Sequence, residues 1–129
     1  MNIWAVLVAT LVEFFLGYLW YSKVLFGKQF LKYLGKSEDE LEMKAQDIFG
    51  PVIASFLIFL FYAILLDLIG TFDIILALLV AIIIWVGFIL TSNVYSVFYE
   101  GRSWGLYLIF TFYHLVGLLI GALIIGLWQ

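Results

Sequence analysis

The chain has no cysteine, a single proline, a single histidine and very little charge: Asp, Glu, Lys and Arg together make up 12% of its 129 residues. Without cysteine there are no disulfides and no thiolate metal sites, and the redox compartment cannot be read. One histidine is too few for a histidine-based metal centre, and no glycine-rich phosphate loop follows a strand. No metal and no cofactor are expected. Enzyme chemistry finds little footing, since Ser55 has no evident base. Nucleic acid is not an expected partner either, because six basic residues are offset by nine acidic ones.

What fills the space left by charge is apolar. Hydrophobic residues are 67% of the sequence, against about 45–50% in ordinary soluble domains. A globule of this length cannot hide so much apolar surface, so lipid is the solvent and the bilayer the first partner. A bilayer core of about 30 Å takes roughly 20 apolar helical residues, and four segments qualify, at about 3–21, 51–69, 72–98 and 104–128. They form one integral domain covering residues 1–129, all-α, because each backbone must satisfy its own hydrogen bonds in lipid and no alternating short strands suggest a barrel. Nothing basic precedes "NIWAVLVAT" and no small-residue cleavage pattern follows it, so the first span is expected to stay in the mature chain. Pro51 is expected in a first helical turn, and Thr71 as the cap of the third span.

Basic residues set the orientation. Lys23, Lys28, Lys32, Lys36 and Lys44 lie between spans one and two and Arg102 between three and four, whereas "DLIGTFD" between two and three carries none. The positive-inside rule places those two connections in the cytoplasm and both termini outside, in a cell membrane. The connection over residues 22–50 opens with "LFGKQFLKYLGK", in which Phe26, Phe30 and Leu34 recur every fourth residue opposite Lys28, Lys32 and Lys36. That pattern predicts an amphipathic helix in the headgroup layer, stopped by Gly35. In "SEDELEMKAQDIFGP", Ser37 and Glu40 form a capping box, Leu41, Ala45 and Ile48 a narrow apolar stripe, and Gly50-Pro51 a break before span two.

Two phrases echo each other: "WYSKVLFGKQF" from Trp20 and "VYSVFYEGRSW" from Val94 align Tyr21-Ser22 with Tyr95-Ser96 and Gly27-Lys28 with Gly101-Arg102. Both follow spans that run inward, which suggests a two-plus-two parallel repeat. An interfacial tyrosine, a terminating glycine and a nearby cation would also suit any helix leaving a membrane.

The polar residues inside the spans need the most explanation. Glu13 lies about ten residues into span one and His114 ten into span four, which runs the opposite way, so the two fall at similar depth near the midplane. A charge there costs about 2.5–3.5 kcal/mol on insertion scales, and such groups normally face the bundle interior and find a partner. Thr10, Glu13 and Gly17 share one face of span one; Tyr107, Thr111, His114, Gly117 and Gly121 share one face of span four. The glycines suit close helix packing. We expect Glu13 and His114 to be hydrogen-bonded across that contact, with Thr10 and Thr111 beside them, as either a clamp that fixes helix register or a proton- or ion-handling site. Thr91-Ser92-Asn93 forms a second polar cluster, expected to hydrogen-bond between helices or to line an inner vestibule. Trp85 is expected to pack rather than to cage a ligand.

Several of these phrases resemble a family of small bacterial four-helix membrane proteins known as domain of unknown function 1761. The resemblance rests on Trp20-Tyr21-Ser22, Leu25-Phe26-Gly27-Lys28, Tyr99-Glu100-Gly101-Arg102-Ser103 and Tyr113-His114, and covers essentially the whole chain. Lys23 stands where a proline is common, Phe30 where the family has tryptophan, and Thr111-Phe112 where it has smaller residues. The resemblance implies a four-helix integral membrane protein and brings no known activity. Two functions stay open. One is a small transport or channel-like protein, homo-oligomeric because four short helices enclose little. The other is a structural or accessory subunit that docks a partner protein or anionic lipid through Lys28, Lys32, Lys36 and Arg102. An enzyme acting on lipid ranks behind both.

Overall fold

A computed structural model describes residues 1–37, 45–70 and 73–128. The expectations for Glu40, Leu41, Thr71 and Phe72 lie outside those residues. The described chain is helical: α1 (Ile3–Trp20), α2 (Gly27–Leu34), α3 (Ala45–Ile69), α4 (Ile74–Glu100) and α5 (Trp104–Leu127). All but the short α2 are long and apolar enough to cross a membrane. Most of their outward residues are apolar, among them Phe15, Phe61, Leu68, Phe88 and Phe98. A helix with no polar face has nothing to turn toward water, and lipid is the solvent that suits it.

The helix starts follow local chemistry. Asn2 caps α1 by accepting from the Trp4 amide at 3.0 Å, Asp73 caps α4 through the Ile75 amide at 3.0 Å, and Ser103 caps α5 through the Leu106 amide at 3.1 Å. Each side chain takes one of the donors a helix start leaves unpaired. The ends of α2 and α4 are set by Gly35 (φ 76°) and Gly101 (φ 70°), left-handed positions that glycine enters without the Cβ penalty. Gly35 stops α2 as the sequence implied. Phe26 and Phe30 are half-buried, while Leu34 is exposed, so the inward face of α2 is shorter than its period suggested.

Span two departs from expectation. Gly50-Pro51 does not break the chain: α3 is helical from Ala45, with Pro51 inside it. Proline's fixed φ is itself helical, so what is lost is one ladder bond and some room around the preceding turn. Residues 45–50 are exposed there, where water or headgroups can serve a carbonyl that loses its amide partner.

In the bundle, α5 packs along α1 on one side and α4 on the other, and α3 lies against α1. The Tyr62 hydroxyl of α3 donates to the Ala77 carbonyl of α4 at 2.6 Å, and Phe59 of α3 reaches Gly121 of α5. The buried core gathers early in α1 (Ala5, Val6, Ala9), late in α3 (Phe59, Tyr62, Ala63, Leu66), early in α4 (Ala77, Val80, Ala81) and late in α5 (Leu118, Ala122, Ile125). All four sets lie toward the end opposite the lysines of α2. Alanine is the core's commonest residue, as expected where close van der Waals packing draws helices together.

The two echoing phrases fold differently. Gly27 begins a helix and its Cα lies against the main chain, where an added Cβ would come within 2.6 Å of the Ser22 and Tyr21 carbonyl oxygens. Gly101 ends a helix in open space. Of the contacts that a two-plus-two repeat would pair, α1–α3 and α4–α5 are both extensive, whereas α1–α5 is extensive and α3–α4 slight among the described residues.

Candidate functional site

Glu13 and His114 meet where the tight core gives way to the looser lysine-bearing half. One carboxylate oxygen, Oε1, lies 3.5 Å from His114 Nδ1. The shared depth read from the sequence is therefore a real meeting, though at ion-pair range and beyond the 2.7–3.2 Å of an ordinary N–H···O bond. The Glu13 side chain is 3% exposed and that of His114 18%. The second oxygen, Oε2, is buried with no hydrogen-bond partner among the described residues. Buried polar atoms are nearly always paired, so an orphaned carboxylate oxygen marks a place to which something else can come.

The pocket around this carboxyl is made by absent side chains. A Cβ on Gly117 would sit 2.9 Å from Oε1 and 3.1 Å from the carboxyl carbon, so the carboxyl occupies the notch this glycine leaves in α5. One turn along α1, a Cβ on Gly17 would sit 2.8 Å from the Tyr113 hydroxyl. That hydroxyl crosses between the helices and donates to the Glu13 main-chain carbonyl at 2.8 Å. Gly121 plays its packing part farther along, against Phe59 of α3 rather than against α1.

Gly117→Ala tests this notch. It should push the carboxyl off His114 and lower stability by about 1–3 kcal/mol, the usual cost of overpacking. The same change made on Glu13→Ala should cost much less, because the clashing group is gone. A double-mutant cycle on thermal unfolding would show it, and additive costs would contradict the geometry.

Toward the lysine-bearing end an aromatic layer closes the site. Tyr113 lies 5.7 Å from Tyr21 and 6.3 Å from Trp20, Tyr21 lies 5.0 Å from Phe30, and Trp20 lies 4.6 Å from Phe26, all between ring centroids. Burial pushes the Tyr21 phenol up to about 12 against the opposing pull of the Arg102 guanidinium, so it acts as a neutral group. The Trp20 indole donates to the Ile109 carbonyl at 3.0 Å and the Trp85 indole to the Thr111 carbonyl at 2.6 Å. Thus α1 and α4 each pin α5 through a tryptophan that uses the second lone pair of a helical carbonyl.

Sequence reasoning missed these cross-helix donors. Trp20 carried a usable signal, since it falls seven residues after Glu13, on the face that also holds Gly17. Tyr113 adjoins His114 and stands four residues before Gly117. Trp85 packs, its ring 5.2 Å from Phe112, but it is a hydrogen-bond donor as well.

Other expected members belong elsewhere. The hydroxyls of Thr10 and Thr111 donate to carbonyls of their own helices, Val6 and Tyr107, each at 2.8 Å. Neither reaches the Glu13–His114 couple, because back-bonding one turn down satisfies a threonine locally. Thr10 instead lines an apolar groove of about 530 Å³ between α1 and α3, with Trp4, Leu7, Leu11, Val52 and Phe56. Among the described residues, Thr91-Ser92-Asn93 makes no hydrogen bond to another helix either. Thr91 donates to the Gly87 carbonyl at 2.7 Å, Ser92 to that of Phe88, and Asn93 to that of Ile89 at 2.8 Å. The Tyr107 hydroxyl of α5 then serves the Leu90 carbonyl at 2.5 Å. Trp85–Leu90 is a π-helical stretch of α4, where wider winding shifts the amide ladder out of α-helical register. Four consecutive carbonyls of that stretch thus each receive a side-chain donor. This cluster sustains a distorted helix, and Thr91 and Ser92 are exposed rather than lining an enclosed vestibule. Lys28, Lys32, Lys36 and Arg102 are exposed at the lysine-bearing end.

No curated protein and no solved structure matches the chain. A family model described as "Protein of unknown function (DUF1761)" matches residues 4–126, nearly the whole sequence, and the chain belongs to that family.

Proposed function

We propose that this is a multi-pass protein of the cell membrane that moves protons through the Glu13–His114 couple. The orphaned, buried Oε2 of Glu13 carries this reading. A clamp that only fixed helix register would satisfy both carboxylate oxygens, because leaving a polar atom unpaired in an apolar surround costs about 1–3 kcal/mol. A group that must take up and release a proton needs an unfilled position. The neutral pair and the Glu⁻/His⁺ pair differ by one proton moved across 3.5 Å, and His114, the more exposed of the two, is the member through which protons arrive and leave.

The basic residues, concentrated between α1 and α3 and before α5, favour a cytoplasmic lysine-bearing end by the positive-inside rule. Two cavities of the chain, the α1–α3 groove and one beside Trp20, have apolar walls. Neither suits a hydrated solute, and a proton is the cargo that the Glu13–His114 couple itself can pass. The test is proton uptake by liposomes holding the purified protein under an imposed potential. Flux above that of protein-free liposomes is expected, and folded protein with no flux would overturn the reading.

A further inference from the structure

The lysine-bearing end holds two features that the Glu13–His114 couple does not use. The first is the outward face of α2. Gly27–Leu34 lies across the bundle end, with the Tyr33 ring occupying the space where Gly105 of α5 lacks a side chain, and with Phe30 against Tyr21. That docking leaves Lys28, Lys32 and Lys36 exposed at successive i, i+4 positions, and residues 27–37 contain no acid. Arg102 is exposed before the start of α5; Glu100, also exposed, is the acid closest to it in sequence.

The second feature is a cavity of about 240 Å³ walled by Trp20, Phe26, Leu108, Ile109 and Phe112. It equals about eight water volumes at about 30 Å³ each. Its described walls are almost wholly apolar, and the Trp20 indole N–H among them is already bonded to the Ile109 carbonyl. Phe26 joins the two features: it lines the cavity, and Lys28 follows two residues later.

We propose that this end binds one anionic phospholipid, with a stretch of acyl chain in the Trp20–Phe112 cavity and the headgroup phosphate on Lys28 and Lys32. Charge complementarity selects the headgroup and the apolar cavity selects a chain. A soluble phosphate ester would satisfy only the first, a second helix only the other. An amphipathic helix with lysines outward is also the form that lies in a headgroup layer.

The experiment is native mass spectrometry of the protein released from mixed phosphatidylglycerol and phosphatidylcholine bilayers with matched chains. Each lysine near an anionic surface contributes roughly fivefold, so the wild type should retain one phosphatidylglycerol with a preference of about tenfold or more. Lys28→Gln with Lys32→Gln should abolish the preference, and Leu108→Trp, which fills the cavity, should reduce retention of both lipids. Equal retention of the two lipids by the wild type would overturn the proposal. So would a preference unchanged in the lysine variant, or a lipid-free dimer broken by Leu108→Trp, which would assign the cavity to a second copy.

Discussion

Liposomes holding Glu13→Gln should pass protons about 10²-fold more slowly than wild type, the contribution a positioned proton-transfer group makes at its lower range. Glutamine keeps the volume of the side chain and still fills the Gly117 notch, so packing should change little. What it loses is the ability to accept a proton 3.5 Å from His114. Because the glutamine is neutral, no unpaired charge is stranded in an apolar surround, and thermal stability in detergent should stay within about 1 kcal/mol of wild type. His114→Gln should slow flux in the same direction by removing the more exposed member. Normal flux in a folded Glu13→Gln variant would place the path elsewhere. A variant that conducts poorly only because it unfolds would show itself in the melting curve.

Gly121→Leu should prevent formation of the folded bundle. A Cβ at this position would overlap the Phe59 ring, and Phe59 is itself 1% exposed in the middle of the core. Nothing there can yield: Leu118 and Ala122 beside Gly121 are buried, as are Ala63 and Leu66 beyond Phe59. Alanine alone should cost about 1–3 kcal/mol, and three further carbons should exceed what the core can absorb. Gly50→Ala provides the contrast. An added Cβ there meets nothing within 4 Å beyond its chain neighbours; alanine's helical advantage over glycine is opposed by the Pro51 ring, which crowds a Cβ on the helical residue before it, so the change should stay within about 1 kcal/mol of neutral. Unfolding by heat or by denaturing detergent would rank the variants. A Gly121→Leu protein as stable as Gly50→Ala would mean that α3 and α5 do not meet as described.

The features legible in the sequence are those fixed by solvent and by period. Four apolar runs of bilayer length became four long helices because a lipid surround leaves the backbone only a helix or a closed barrel, and these runs lack the alternation of barrel strands. Glu13 and His114 could be matched in depth from their distances to the ends of antiparallel spans. Gly17, Gly117 and Gly121 could be placed on packing faces from helical spacing alone. What those glycines accommodate was not legible, because a notch in one helix says nothing of whether Tyr113, Glu13 or Phe59 fills it; that depends on how the helices are rotated.

Local competition explains the rest. A serine, threonine or asparagine in a helix can reach across or bond one turn back, and the sequence is the same in both cases. Thr10, Thr111 and Thr91-Ser92-Asn93 all bond back, which takes the two threonines away from the Glu13–His114 couple and leaves the second cluster bonded within its own helix. Proline at position 51 read as a boundary because it cannot donate, yet its dihedral angle lets the helix run through it. The π-helical stretch at Trp85–Leu90 has no marker beyond Gly87, and the run of donors that follows it became meaningful only once the carbonyls were located.

Proton movement through the couple requires Glu13 to exchange a proton in concert with His114. Infrared difference spectra of the membrane-reconstituted protein, taken as an imposed potential drives proton flux, measure this directly. The Glu13 carboxyl stretch is identified by its loss in Glu13→Gln. A Glu13 band that changes when flux starts, and that no longer changes in His114→Gln, is the predicted result. A Glu13 signal unaltered while protons flow would make the couple a fixed clamp and contradict the assignment.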